Sequence, residues 1–275
     1  MQSITGKFQL YYYWLKHPVS ATALKAQELL GHIYKVYQNS KGRYGSPRIT
    51  IELQQAGITV SRPCVARAMK RANLKSIVRR KYRIQTTDSK HTYAVSENHL
   101  QQDFQADRLA QKWVSDLTYI KTGEGWLYLT TIIDLADRKV IGWALSESMK
   151  ALDTTVAAFR MAVNNRPVVQ PLLFHSDRGV QYACGEFTGQ LKKWTVRQSM
   201  SRKGNPWDNA VAESFFKTMK TEMVYHRSFP TKAEAKLAVF EYIEVWYNRQ
   251  RRHSALGYLT PSQYEKLLLN NKISA

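Results

Sequence analysis

The chain has 275 residues, 44% of them hydrophobic and 12% aromatic, enough apolar material for a substantial core and enough length for two domains. With 41 Lys+Arg against 21 Asp+Glu it carries a formal charge of +20, which points to a polyanionic partner. Its two cysteines, Cys64 and Cys184, have no histidine at metal-ligand spacing, which excludes a disulfide framework or a structural zinc and makes a reducing cytoplasm the expected compartment.

Near the start, FQLYYYWL is apolar but only eight residues long and flanked by Lys7 and Lys16, too short for a membrane span or a signal segment. From Ala21 to Tyr37, Leu24, Leu29, Leu30, Ile33, Val36 and Tyr37 recur at helical spacing, so an amphipathic helix is expected. A turn follows at GRYGSP. In PRITIELQQA, Ile49 and Leu53 share a face; Ala56-Gly57 breaks the pattern, and Ser61 is placed to cap SRPCVARAMKRA. Two short helices around a glycine-containing turn make a helix-turn-helix candidate. In the second helix Val65, Ala68, Met69 and Ala72 can pack inward, leaving Arg62, Arg67, Lys70 and Arg71 on the outer face, suited to DNA phosphates and base edges. Arg43, in the preceding turn, joins them as a DNA-binding candidate.

The charge is uneven. Residues 1–99 hold 17 Lys+Arg against 4 Asp+Glu, a net +13, so a basic arm precedes a more balanced body. The stretch KSIVRRKYRIQTTDSKHT is dense in Lys, Arg, Ser and Thr without sustained periodicity, as a linker along a phosphate backbone would be. The expected organisation is a helical domain over 1–74, a basic linker over 75–100, a catalytic core with C-terminal helices over 101–264, and a tail over 265–275.

The core opens with KWVSDLTYIKT, a GEG turn and WLYLTTIIDLADRKVIGWALSES, three β-rich runs expected to form an antiparallel meander. Helical spacing takes over in LDTTVAAFRMAVNNR, a buried strand returns in PLLFHSD, and helices dominate from Pro206. This order describes an α/β fold, a mixed sheet flanked by helices.

Asp116 lies inside a run that reads as a central strand, and Asp177 ends a second one. An ionised carboxylate there costs several kcal/mol unless a cation compensates it. Two such acids imply a shared hard cation, held by carboxylates with water and substrate phosphate completing its shell. Two ions about 4 Å apart can serve the attacking and leaving oxygens of a phosphodiester. A third acid is needed, and SRKGNPWDNAVAESFFKTMKTE offers Asp208 and Glu213. With Asn205 as N-cap and Pro206 as first helical residue, Asp208 falls where a carboxylate satisfies free amides, a structural role. At 100° per residue it lies about 140° around the helix from Glu213. Asn209, Glu213, Lys217 and Lys220 form one polar stripe, while Ala212, Phe215, Phe216, Met219 and Met223 make the apolar side.

Asp116, Asp177 and Glu213, with 35 residues between the last two and Lys220 seven after the glutamate, resemble the DD(35)E motif of retroviral-type integrases and insertion-sequence transposases. WVSDLTYI, HSDRGVQY, SMSRKGNPWDNAVAESFF and YNRQRRHSALGYLTP each resemble segments of the insertion-sequence-three family, in the protein of its second reading frame. SKGRYGSPRI and the helix pair after it are similar to that family's auxiliary helix-turn-helix region. The likeness runs from about Leu24 to Tyr264. It implies a ribonuclease-H-like core in which Asp116, Asp177 and Glu213 are catalytic and bind Mg²⁺ or Mn²⁺, with two ions expected per site. Asp116 and Asp177 would share one ion and Asp116 and Glu213 the other. The implied reaction frees a 3′ end and joins it to target DNA. It also implies a dimer or larger assembly on DNA, and a family product fused to an upstream reading frame. The chain departs from retroviral integrases in having too few cysteines for their N-terminal zinc domain, and from the fused product in lacking its upstream helix-turn-helix and leucine zipper.

Arg178, Arg202, Lys203, Asn209, Lys217, Lys220, Arg251 and Arg252 complete the DNA-binding candidates, the last two in an RQRRH segment expected to be exposed. Asp134 reads as a turn residue, His175 as a packed core histidine, and Trp207 as buried against the sheet, with stacking on a base the alternative. Leu237, Phe240, Ile243 and Tyr247 are expected to form the packing stripe of a C-terminal helix.

Overall fold

The computed structural model describes Tyr12 and residues 20–77, 93–168 and 171–273, and the chain divides into two compact units, Met1–Val78 and Arg79–Ala275. Apart from Tyr12, the FQLYYYWL run lies outside the described residues, as do residues 78–92 of the basic linker.

In the first unit, helices α1 (Ala21–Asn39), α2 (Ser46–Gln55) and α3 (Arg62–Arg71) pack on one another around Ile33, Ile49, Leu53, Val65 and Met69. Pro47 and Pro63 each stand in the first turn of a helix, where a missing N–H costs nothing. Between α2 and α3 the chain reverses through Gly57 at φ +81°, and the Ile58 N–H returns to the Leu53 carbonyl at 2.9 Å. Ser61 flanks α3 as expected but makes no side-chain capping bond. Arg62, Arg67, Lys70 and Arg71 are exposed along α3, whereas Arg43 is buried and is withdrawn from the DNA-facing set.

The second unit is built on a five-stranded sheet of β1 (Lys112–Thr122), β2 (Gly125–Asp134), β3 (Val140–Ser146), β4 (Leu173–Ser176) and β5 (Arg197–Met200), in the order β3-β2-β1-β4-β5. The first three strands form the antiparallel meander; β4 runs parallel to β1 and β5 parallel to β4. Helices α4 (Thr155–Asn165), α5 (Val180–Ala183) and α6 (Gly185–Lys193) accompany the crossovers, and Phe159, Phe174, Tyr182 and Phe187 meet there edge to face. Gly142 sits where β3 touches α4; a Cβ there would collide with the Ala158 carbonyl and lie 2.7 Å from the Ala162 methyl. Helix α7 (Ala210–Glu222) packs on β1 and β2 through Ala212, Phe215, Phe216 and Met219.

Several sequence expectations shift here. Ser96–Leu100, assigned to the linker, lies along β5: the Ser199 hydroxyl accepts from the His99 and Leu100 N–H groups, and Glu97 O accepts from Met200 N–H. Helix α8 (Lys232–Phe240) runs straight into a π-helical turn, Glu241–Tyr247, and buries Ala235, Ala238, Val239, Tyr242, Ile243, Trp246 and Tyr247. Leu237 and Phe240 stay exposed, because the small Ala235 and Ala238 give the side of closest approach. A tail from residue 265 is also corrected: α9 spans Pro261–Ile273, and its Glu265 binds Arg166 and Lys139 of the core.

Candidate active site

The parallel pairing of β1 with β4 sets the site. Val114 pairs with His175, so two residues further along each chain the same register brings Asp116 toward Asp177. Both acids then stand past the carboxyl end of β4, an edge where open α/β sheets gather their ligands. Helix α7 lies over β1 and brings Glu213 to the same place.

Asp116 and Glu213 are half-buried, and each responds electrostatically to Asp177. Burial, then the charge of Asp177, pushes the Asp116 carboxyl well above its ordinary range; the Leu117 N–H, 2.8 Å from Oδ1, opposes this, Glu213 adds to it, and Lys220 opposes it. Burial raises Glu213 as well, with Lys217 opposing and Asp177 adding. The Lys220 ammonium lies 5.4 Å from the centre of the Tyr119 ring; burial lowers its pKa and Asp116 holds it up. Tyr182, pushed up by burial and by both aspartates, pairs its hydroxyl with Ser115 at 2.8 Å beneath the site.

A rigid frame surrounds the acids. Asp177 Oδ1 accepts the Gly179 N–H at 2.9 Å, which closes the turn into α5. His175, fully buried, is a packed core histidine: its Nδ1 meets Ser199 Oγ at 2.8 Å and its Nε2 meets Ser201 Oγ at 3.1 Å. Burial draws its pKa down to about 4, so it is neutral at physiological pH. Arg178 is half-buried, with Nε donating to Ser201 O at 2.7 Å. The alternation Ser199-x-Ser201 was the available sign of this staple, since a strand puts both hydroxyls on one face.

The chain enters α7 through a 3₁₀ turn, Pro206–Asn209, capped by Asn205, whose side chain accepts from Trp207 N–H. Asp208 is structural, but not through the free amides of α7: it accepts from Arg202 N, Nε and Nη2 and from Gln102 Nε2. Those donors hold its carboxyl far below the usual range. Asn209 is buried and donates to the Ser115 carbonyl at 2.9 Å, clamping the turn to β1 beside Asp116, so it does not face DNA.

Arg251 and Arg252 also leave the DNA-facing set. Both are buried; Arg251 pairs with Glu222 at 2.9 Å, and Arg252 reaches Gln263 Oε1 and Tyr258 O. Lys203 and Lys217 are exposed, and Arg202 is exposed while paired with Asp208. Asp134 lies outside the site, fully buried on Ala110 N–H, Trp113 Nε1, Ala136 N–H and Arg166.

Among the described residues no three His, Cys, Asp or Glu side chains stand as a finished metal cage. The donor chemistry nevertheless suits a hard divalent cation: carboxylates close enough for the charge of Asp177 to raise both Asp116 and Glu213, with Lys220 opposing at Asp116 and Lys217 at Glu213.

Family models agree with this architecture. Two integrase core domain models match residues 106–206 and 195–261, and an HTH-like domain model matches 25–82. The chain is 42% identical over 233 residues to the transposase InsF of insertion sequence IS3A from Escherichia coli K12, covering 85% of this chain and 80% of that one. It is 39% identical over 256 residues to an uncharacterized 31 kDa protein of insertion element IS600 from Shigella sonnei, covering 93% of each. Among solved structures it resembles the simian T-cell lymphotropic virus intasome bound to the PP2A regulatory subunit B56 gamma, with TM-score 0.48, 13% identity, and 84% of this chain and 73% of that one covered. The chain therefore belongs to the IS3 family of insertion-sequence transposases, polynucleotidyl transferases of DNA transposition and integration with a ribonuclease-H-like integrase core and an HTH-like helical domain.

Proposed function

We propose that Asp116, Asp177 and Glu213 are the catalytic, metal-holding carboxylates with which this chain nicks transposon ends and joins them to target DNA. The observation that carries this reading is the convergence of acids from β1, the end of β4 and α7: burial and the charge of Asp177 raise the proton affinity of both Asp116 and Glu213. Asp116 with Asp177 would hold one Mg²⁺ or Mn²⁺, and Asp116 with Glu213 a second. When bound, such ions lower the pKa of an attacking water and stabilise a leaving oxygen in in-line phosphoryl transfer. Water attacks the phosphorus at the element's end and its 3′-oxygen leaves as a hydroxyl; that 3′-hydroxyl then attacks a target phosphorus and displaces the target's own 3′-oxygen. The remaining groups position DNA: Lys217 and Lys220 on α7 meet phosphate near the reacting bond, and the exposed cations of α3 grip duplex.

Because transposition brings two ends together, the working form is a dimer or larger assembly on DNA, joined in the family's manner to an upstream reading-frame product, in the bacterial cytoplasm. Among the described residues no helix is long and apolar enough to cross a membrane. The test is to incubate the protein with DNA carrying its element's terminal repeats and Mn²⁺. Asp177→Asn and Glu213→Gln are expected to reduce nicking and joining by about a thousandfold or more, with DNA binding retained. Shifted DNA with no new ends from the unsubstituted protein would make it a binder that does not cut.

A further inference from the structure

Trp207 is 71% exposed on the turn that leads into α7, six residues before Glu213. A side chain of that size ordinarily contributes to a core or an interface, so a solvent-facing indole beside a reaction centre points to a ligand with an apolar face. The turn beneath it is held from several sides. Pro206 limits the backbone on one side, and Asn205 caps the Trp207 N–H. On the other side Asp208 is sealed under the Arg202 guanidinium and Gln102, and Asn209 is bolted to the Ser115 carbonyl next to Asp116. The inward-pointing neighbours thus hold the backbone while the indole stays outside, so little backbone ordering is left for binding to impose.

The exposed surroundings are cationic. Arg202 and Lys203 precede Trp207 by five and four residues, separated from it by a bend through Gly204 at φ +72°. Cations for phosphate next to a flat ring for a base are the recognition chemistry of an unpaired nucleotide. Only a base released from its stack has a face to offer, so the ligand is frayed or single-stranded DNA rather than closed duplex.

We infer that Trp207 is a stacking platform for one unpaired base of the DNA end, and that it positions the adjacent phosphodiester relative to Asp116, Asp177 and Glu213. This rests on the proposed catalytic reading for its purpose, but not for its detection. The indole touches the base and not the reacting atoms, so Trp207 is a positioning residue.

The experiment uses the full chain carrying Asp177→Asn, which binds without cutting, and a duplex with three frayed nucleotides at one end. 2-Aminopurine is placed at each frayed position in turn. Stacking is expected to quench fluorescence at one position; Trp207→Ala is expected to abolish the quench and Trp207→Phe to keep most of it. In the otherwise unsubstituted enzyme Trp207→Ala is expected to slow joining roughly 5- to 100-fold, the range for losing one base–aromatic stack, with an unchanged melting temperature and an unchanged salt dependence of DNA binding. A quench that survives Trp207→Ala, or no quench at any position, would overturn the platform. A quench lost in Trp207→Ala alongside an unsubstituted protein that makes no new DNA ends would sink the catalytic reading alone.

Discussion

Asp208 and Glu213 stand five residues apart at the entry to one helix, yet the fold treats them in opposite ways. Asp208 receives a guanidinium, an amide side chain and a backbone N–H, and its proton affinity falls. Glu213 receives partial burial and a neighbouring aspartate, and its proton affinity rises. The contrast extends across the unit. Burial would raise Glu222, but Arg251, Trp246 and Tyr242 outweigh it and bring the carboxyl below its ordinary range. Arg166 bridges Asp134 at 2.7 Å and Asp137 at 2.6 Å, although burial still raises the Asp137 carboxyl to about 6. Around Asp116 and Glu213 the neighbouring charge is instead that of Asp177, and with burial it raises both carboxyls against the opposing Lys220 and Lys217. The difference separates acids tied to a guanidinium from Asp116 and Glu213, whose carboxyls feel another carboxylate.

The comparison is broken most severely at the compensated pole. Replacing Arg166 by Met leaves Asp134 and Asp137 buried without their cation, and a loss of about 3–5 kcal/mol is expected in denaturant unfolding. A loss under about 1 kcal/mol would mean that the network is not what holds these acids. At the other pole the sign reverses and the effect is smaller. Because Asp116 binds its proton more tightly folded than unfolded, its ionised form disfavours the fold at neutral pH. Asp116→Asn should therefore raise the melting temperature of the metal-free protein, by about 2–4 °C for each kcal/mol recovered. The gain should shrink as pH falls through the raised folded pKa and vanish below the unfolded value near 3.9. Melting curves from pH 8 downward read both; a fall in stability at neutral pH would assign Asp116 to the compensated class.

Much of this division was legible in the sequence. Asp116 and Asp177 were marked by runs of strand-forming residues in which a lone charge is out of place. The angle drawn between Asp208 and Glu213 assumed one continuous α-helix, whereas Asp208 lies in the 3₁₀ turn before α7 and is set apart by its bonds to Arg202 and Gln102. The core elements were legible for the same reason, since alternation and helical spacing report burial directly. What periodicity could not supply was partners. Nothing local connects Arg251 to Glu222, 29 residues away, or Arg166 to Asp134, 32 residues away, so RQRRH looked like a solvated cluster when Arg251 and Arg252 are buried. Asn209 misled in the same way, because its bond to Ser115 spans 94 positions. Strand β5 is four residues with a mixed pattern and gave no clear strand signal. Trp207 failed from the opposite prejudice, that a large indole belongs inside.

The central claim is that Asp116, Asp177 and Glu213 share a divalent cation, and calorimetric titration of the full chain with Mn²⁺ tests it most directly. The unsubstituted protein should bind Mn²⁺, and Asp177→Asn and Glu213→Gln should each weaken that binding by about tenfold or more, roughly 1.4 kcal/mol. Equal Mn²⁺ affinity in all three proteins would contradict it.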